Sequence, residues 1–164
     1  MAPQVVLVLG LAAAVVTDVR TRRIPNWLTG SIAGAGFGLA FGGGPVTPMR
    51  AAFGLAAGLL LMLPGHVIGA TGAGDVKLMA AVGSVVGPGP VLQAFLYSAV
   101  AGGVLAIVVA LWRGRLAATV RDASLLMTRP ADARQTIEAP ARANRFAYGP
   151  AIAVGTFVSL MVTS

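Results

Sequence analysis

Six apolar runs, parted by short links rich in Arg, Gly and Pro, dominate this chain. They cover about 3–19, 27–42, 50–66, 76–87, 91–112 and 146–163. A helix that crosses a bilayer needs roughly 20 apolar residues, and 91–112 meets that length. The first, second, fourth and sixth runs are short, so they must extend into their links, tilt little or lie where the bilayer is thin. The fourth is the weakest candidate, because Gly87-Pro88-Gly89-Pro90 breaks the pattern behind it. A soluble fold is the bland alternative. Only 10% of the 164 residues are charged and 57% are hydrophobic, against about a quarter charged in an ordinary soluble domain. A water-exposed surface would need polar groups that this chain lacks. The 22 glycines point the same way. Gly is costly in a water-exposed helix, yet it lets helix backbones approach closely in lipid. The expected fold is therefore all-α: a polytopic membrane protein of about six transmembrane helices, forming one domain over 1–164.

Charge placement orients it. If the link at 18–26 is cytoplasmic, six crossings bring 67–75 and 113–145 to the same side. That side then holds Arg20, Arg22, Arg23, Arg113, Arg115, Arg121, Arg129, Arg134, Arg142 and Arg145. Lys77 lies just inside the fourth run at that end, and only Arg50 falls opposite. Such asymmetry is the positive-inside pattern, and it turns both termini outward. Trp27 and Trp112 stand at the expected cytoplasmic boundaries as aromatic anchors. The start, Met-Ala-Pro-Gln, has no basic residue, so the first run reads as a retained helix rather than a cleaved signal.

The polar stretch 113–145 carries seven Arg with Asp122, Asp132 and Glu138. Part of it, 116–127, could form a short helix. It reads as a basic segment lying on anionic membrane lipid, or as a docking surface for a partner. The net charge of +7 does not imply nucleic acid, because the basic residues sit between apolar runs and no nucleic-acid module is present. Absence of Cys excludes disulfides, thiol nucleophiles and cysteine-bound zinc. His66 is the only histidine and makes no metal site alone; it reads as an interfacial polar group. No metal or cofactor is expected. Met62, Met79 and Met127 read as packing residues.

Two of the five acids, Asp18 and Asp75, fall at the ends of apolar runs. Burying an ionised carboxylate costs several kcal/mol unless it is paired or neutralised. In the six-span arrangement both lie towards the cytoplasm. Two neighbouring carboxyls tend to share one proton, so the ionised member can take a proton from water while the other donates one. Asp75 follows Gly72-Ala73-Gly74, whose glycines permit a tight turn and leave room for a peptide. It also falls near a helix start, where a carboxylate is favoured, and a simple capping role is the competing reading. Asp18 precedes Val19-Arg20-Thr21-Arg22-Arg23-Ile24-Pro25-Asn26. Pro25 ends the helical pattern, and Asn26 could cap the second helix. Arg20 could hold Asp18 or a substrate carbonyl, or merely orient the chain. Lys77 could hold the active-site segment or snorkel to headgroups.

Together these segments resemble the type IV prepilin peptidase family, membrane aspartic proteases with a Gly-x-Gly-Asp signature. The first family segment is matched by Asp18, Arg20, Ile24, Pro25 and Asn26. The second is matched by Gly72, Gly74, Asp75 and Lys77. Layout agrees over 5–112 and again at Tyr148-Gly149-Pro150-Ala151, similar to the family's last-helix entrance, with Ala147 where Pro is usual. The resemblance implies an enzyme of the bacterial inner membrane that cuts the basic leader of a prepilin or pseudopilin precursor at the cytoplasmic face. Catalysis would fall to Asp18 and Asp75, with Arg20, Asn26, Gly72, Gly74 and Lys77 supporting the site. It implies no cofactor, and pilus assembly machinery as a further partner. The chain is most similar to the small peptidase-only form of Flp, or tight-adherence, systems, with no N-terminal methyltransferase region. Two other readings stand beside it. A small transporter or channel subunit could use buried aspartates on an ion path, and a pilus or secretion assembly subunit could be non-catalytic.

Overall fold

The computed structural model describes residues 2–112 and 148–163, all helical apart from short links. In chain order the helices are α1 (Ala2–Thr21), α2 (Asn26–Phe41), α3 (Pro48–Val67), α4 (Ala73–Val86), α5 (Pro88–Trp112) and α6 (Gly149–Thr163). The basic stretch 113–145, with its expected short helix, its three acids and Met127, lies outside the described residues.

Local chemistry explains most boundaries. Pro25 ends the link before α2 in an extended conformation, as a proline preceding a helix readily does. Thr47 caps α3 by accepting the Arg50 amide at 3.4 Å, with Pro48 in the first turn, where a proline's missing N–H costs nothing. Two boundaries differ from expectation. Helix α4 starts at Ala73, so Asp75 lies within its first turn. Helix α5 starts at Pro88, so the Pro-Gly-Pro expected to break the chain forms its opening turn. Gly87 alone makes the corner, at φ +84, a left-handed conformation that glycine adopts without steric cost.

The six helices of the described residues form a wheel. Helix α4 is the hub and packs against each of the other five. Around it the rim closes in the order α1, α2, α3, α5, α6 and back to α1. Every residue from Asp75 to Val85 is buried except Lys77. A helix apolar all round belongs in such a place. Its 14 residues span about 21 Å, short of a hydrocarbon core of about 30 Å. Helices α2 and α6 are also short, at 16 and 15 residues. Among the described residues three stretches are long and apolar enough to cross a membrane: Pro3–Thr21, Pro48–Val67 and Pro88–Val109.

The outer face of the rim is apolar. Leu9, Phe53, Leu60, Val100, Val104, Ile107 and Met161 are all more than half exposed, a display that lipid covers and water does not tolerate in a monomer. Trp27 and Trp112 are exposed at helix ends, as anchors would be. Met62 and Met79 are buried packing residues. Inside, small residues set the spacing. A Cβ built on Gly54 of α3 would collide with the backbone carbonyl of Gly83 on α4, and one on Gly58 with that of Met79. On the other side of the hub, a Cβ on Gly36 of α2 would lie 2.6 Å from Ser84 Oγ.

Candidate active site

Long-range contacts gather both acidic segments at one end of the wheel. Asp18 lies in the last turn of α1, Asn26 opens α2, Asp75 is in the first turn of α4 and Gly149 opens α6. Asp18 is 6% exposed and Asp75 is 7% exposed, so both acids are buried.

The two carboxylates are held in the same manner. Asp18 Oδ2 accepts the Gly149 amide at 2.8 Å, across 131 residues of sequence. Asp75 Oδ2 accepts the Gly72 amide at 2.9 Å. Each donor stands at a helix N-terminus, where the backbone favours negative charge. Each donor is also a glycine against which the carboxylate lies. A Cβ on Gly149 would fall 2.8 Å from Asp18 Oδ2, and one on Gly72 would fall 3.0 Å from Asp75 Oδ2. Asp75 thus makes the capping bond that the bland reading foresaw, and that bond also orients its carboxylate. Tyr148 immediately precedes Gly149, and burial first, with the charge of Asp75 second, pushes its phenol above the ordinary value.

The Ile-Pro-Asn segment docks on α4. A Cβ on Gly74 would lie 3.2 Å from the Ile24 Cβ, so the second glycine of Gly-x-Gly-Asp makes room for the buried Ile24. Lys77 Nζ donates to Asn26 Oδ1 at 2.9 Å. This corrects the expectation that Asn26 caps α2. The N-cap is Pro25, no side chain caps the helix, and the Asn26 amide is turned to Lys77. Arg20 is exposed. It makes no ion pair with Asp18, whose carboxylate accepts its one hydrogen bond among the described residues from Gly149. Arg22 takes a positive φ of 52° where the chain leaves α1.

The glycine link is shorter and more tied than expected. It spans 68–72, and Ala70 N and Thr71 N both donate to Gly65 O, at 2.8 and 3.2 Å. His66 Nδ1 shares a hydrogen bond with the Thr71 carbonyl at 3.1 Å. A carbonyl only accepts, so that nitrogen carries the proton. His66 is exposed and ties the link without entering the carboxylate site. Among the described residues no group of His, Cys, Asp and Glu could hold a metal ion.

Sequence reasoning picked out Asp18, Arg20, Asn26, Gly72, Gly74, Asp75 and Lys77; the structure joins Lys77 to Asn26 and Gly72 to Asp75, sets Gly74 against Ile24, ties Asp18 to Gly149 and leaves Arg20 exposed. Sequence reasoning noted Tyr148-Gly149 only as a helix entrance and gave it no role at the site. The signal was a glycine opening the last helix, without any local hint of which side chain its amide would meet.

Comparison with known families matches residues 5–107 to the type IV leader peptidase family. No curated protein and no solved structure matches the chain. The matched stretch is well over half of the chain and contains both aspartates, the Ile-Pro-Asn segment and Gly-x-Gly-Asp. Helix α6 lies beyond it, so the Gly149 contact comes from the fold alone. With its all-α membrane-type bundle and this match, the chain belongs to the type IV leader peptidase family.

Proposed function

We propose that this chain is an aspartic endopeptidase that removes the leader peptide of a type IV, Flp-like prepilin precursor at the cytoplasmic face of the bacterial inner membrane. The observation that carries this reading is the common mounting of Asp18 and Asp75. Both are buried at one end of the bundle and oriented by a glycine amide at a helix start, inside the family-matched stretch.

The chemistry is hydrolysis by a carboxyl pair and one water. The ionised member takes a proton from the water, and the resulting hydroxide adds to the scissile carbonyl carbon. The protonated member donates to the carbonyl oxygen. On collapse of the tetrahedral intermediate one hydroxyl returns its proton to the pair as the carbonyl re-forms, the C–N bond breaks, and the departing nitrogen takes a proton from the pair, which ends with the single proton it began with. The pair acts as one unit, so the two roles are not divided between named residues. Lys77 and Asn26 brace the starts of α4 and α2, while Gly72 and Gly74 leave space beside Asp75. Arg20 stands on the rim, available to the substrate backbone.

The arginines bear on where this happens. Arg20 in the last turn of α1, with Arg22 and Arg23 just beyond it, lies at the carboxylate end, and the positive-inside pattern turns that end to the cytoplasm. All six helices then span, with both termini outside. Helix α4 does so sheltered by its neighbours. A precursor whose hydrophobic helix lies in lipid presents its basic leader to water at this depth.

The test uses purified protein in detergent with a candidate precursor, and mass spectrometry of the products. The expected result is one cut at the leader boundary, with turnover lost in Asp18→Asn and in Asp75→Asn while both variants remain folded. Near-normal turnover in either variant would sink the carboxyl-pair mechanism. A folded wild type that leaves its own precursor intact would sink the peptidase reading.

A further inference from the structure

We propose that Tyr148 is a positioning residue for Asp18, acting through the backbone amide of Gly149. The proposal rests on the reading of Asp18 as half of the carboxyl pair, and it adds the device that aims that carboxylate. Asp18 lies in the last turn of α1, and the one hydrogen bond that its carboxylate accepts among the described residues is the 2.8 Å bond from Gly149. Its direction therefore depends on where α6 begins. The residue that fixes this beginning is Tyr148, one step earlier.

Tyr148 is anchored on α5 at two points. Its ring lies over Gly102, where any Cβ would collide with the ring edge. Its phenol donates to the carbonyl of Ser98 at 3.1 Å. Ser98 and Gly102 are four residues apart, on one face of α5. Further along α6, Gly155 presses on Ser98 as well, with no room for a side chain. The α5 face thus holds the start of α6 in register, and the Gly149 N–H is delivered to Asp18 as a result. Simple anchoring of α6 would need the ring and the notch, but it would not need the amide to meet a carboxylate on a third helix.

An aimed carboxylate and a merely packed helix differ in their kinetics. Misdirecting a reacting group slows the chemical step, whereas substrate binding depends on other contacts. The full chain in detergent micelles, labelled with nitrogen-15, supplies a second readout. An amide proton donated to a carboxylate at this distance resonates downfield. The expected result for Tyr148→Leu is an upfield move of the Gly149 amide proton and a kcat lower by about ten-fold or more, with KM within about two-fold of wild type. Tyr148→Phe keeps the ring in the notch and loses only the bond to Ser98, so its effects are in the same direction and smaller. Gly102→Val displaces the ring and reproduces the leucine variant.

An unchanged Gly149 resonance and an unchanged kcat per folded molecule in Tyr148→Leu would overturn the proposal. If that variant does not fold, Tyr148→Phe decides by the same two measurements. Failure of the functional reading is distinguishable, since it is seen as turnover surviving Asp18→Asn or as a folded wild type that leaves its precursor intact. In that event the Gly149 resonance in the Tyr148 variants still decides whether Tyr148 sets the amide.

Discussion

At residue scale the site is built on glycine as much as on aspartate. Gly72 and Gly149 each give an amide to a carboxylate and lack the side chain that would push it away. The sequence made Asp18 and Asp75 legible, because acids are scarce here and both interrupt apolar runs. It also offered Lys77 and Asn26, but not their partnership. The bond between Lys77 Nζ and Asn26 Oδ1 at 2.9 Å joins the two motif segments directly, and it carries a prediction. Asn26→Ala and Lys77→Met should each lower turnover, by about three- to ten-fold, and the double variant should be little worse than the poorer single one, because a shared contact is lost only once. Steady-state kinetics of the three variants check this. Fully additive losses would mean that the two residues act separately.

At element scale the small residues decide which helices touch. The α3–α4 contact is closed by Gly54 against Gly83 and by Gly58 against Met79, backbone to backbone. Gly34 on α2 looks similar in sequence, yet a Cβ there meets nothing within 4 Å. Gly54→Leu should therefore destabilise the bundle by about 3 kcal/mol or more, since overfilling a closed contact forces the backbones apart. Gly34→Leu should leave stability near wild type or improve it, glycine being a poor helix former. Thermal unfolding in detergent measures both, and equal effects at the two positions would contradict the packing described. The turn chemistry was partly readable. Thr47-Pro48 opens α3 as such a pair should, whereas Pro88-Gly89-Pro90 looked like a break. A proline inside a helix costs a backbone hydrogen bond, while a proline in the first turn gives up nothing.

At the scale of the whole molecule, one helix is enclosed by five. The central place of α4 accounts for its shortness, and it also explains the burial of Asp75 at its start. With so little of α4 reaching the outside, Lys77 is its one exposed residue between Asp75 and Val85. The proposed orientation is testable because the chain contains no cysteine. Single variants Pro45→Cys and Arg23→Cys put a thiol at exposed links on opposite ends of α2. An impermeant maleimide added to intact cells should label residue 45 and spare residue 23 until the membrane is opened. The reverse pattern would turn the carboxylate end outward and end the case for cytoplasmic cleavage.

By itself the sequence determined the helical class, the approximate length of the described helices, the membrane habit and the place of two acids at the ends of apolar runs, because these depend on hydrophobicity, turn residues and charge read over a few neighbours. It did not determine that α4 sits at the centre, that Lys77 meets Asn26 or that Gly149 reaches Asp18. Those contacts depend on which face each helix turns to the others, and glycine-rich faces that look alike along the chain become different only once packed. The physical reason is separation: an amide and a carboxylate 131 residues apart share no local signal, and only the closing of the rim, where α6 meets α1, brings them within bonding distance.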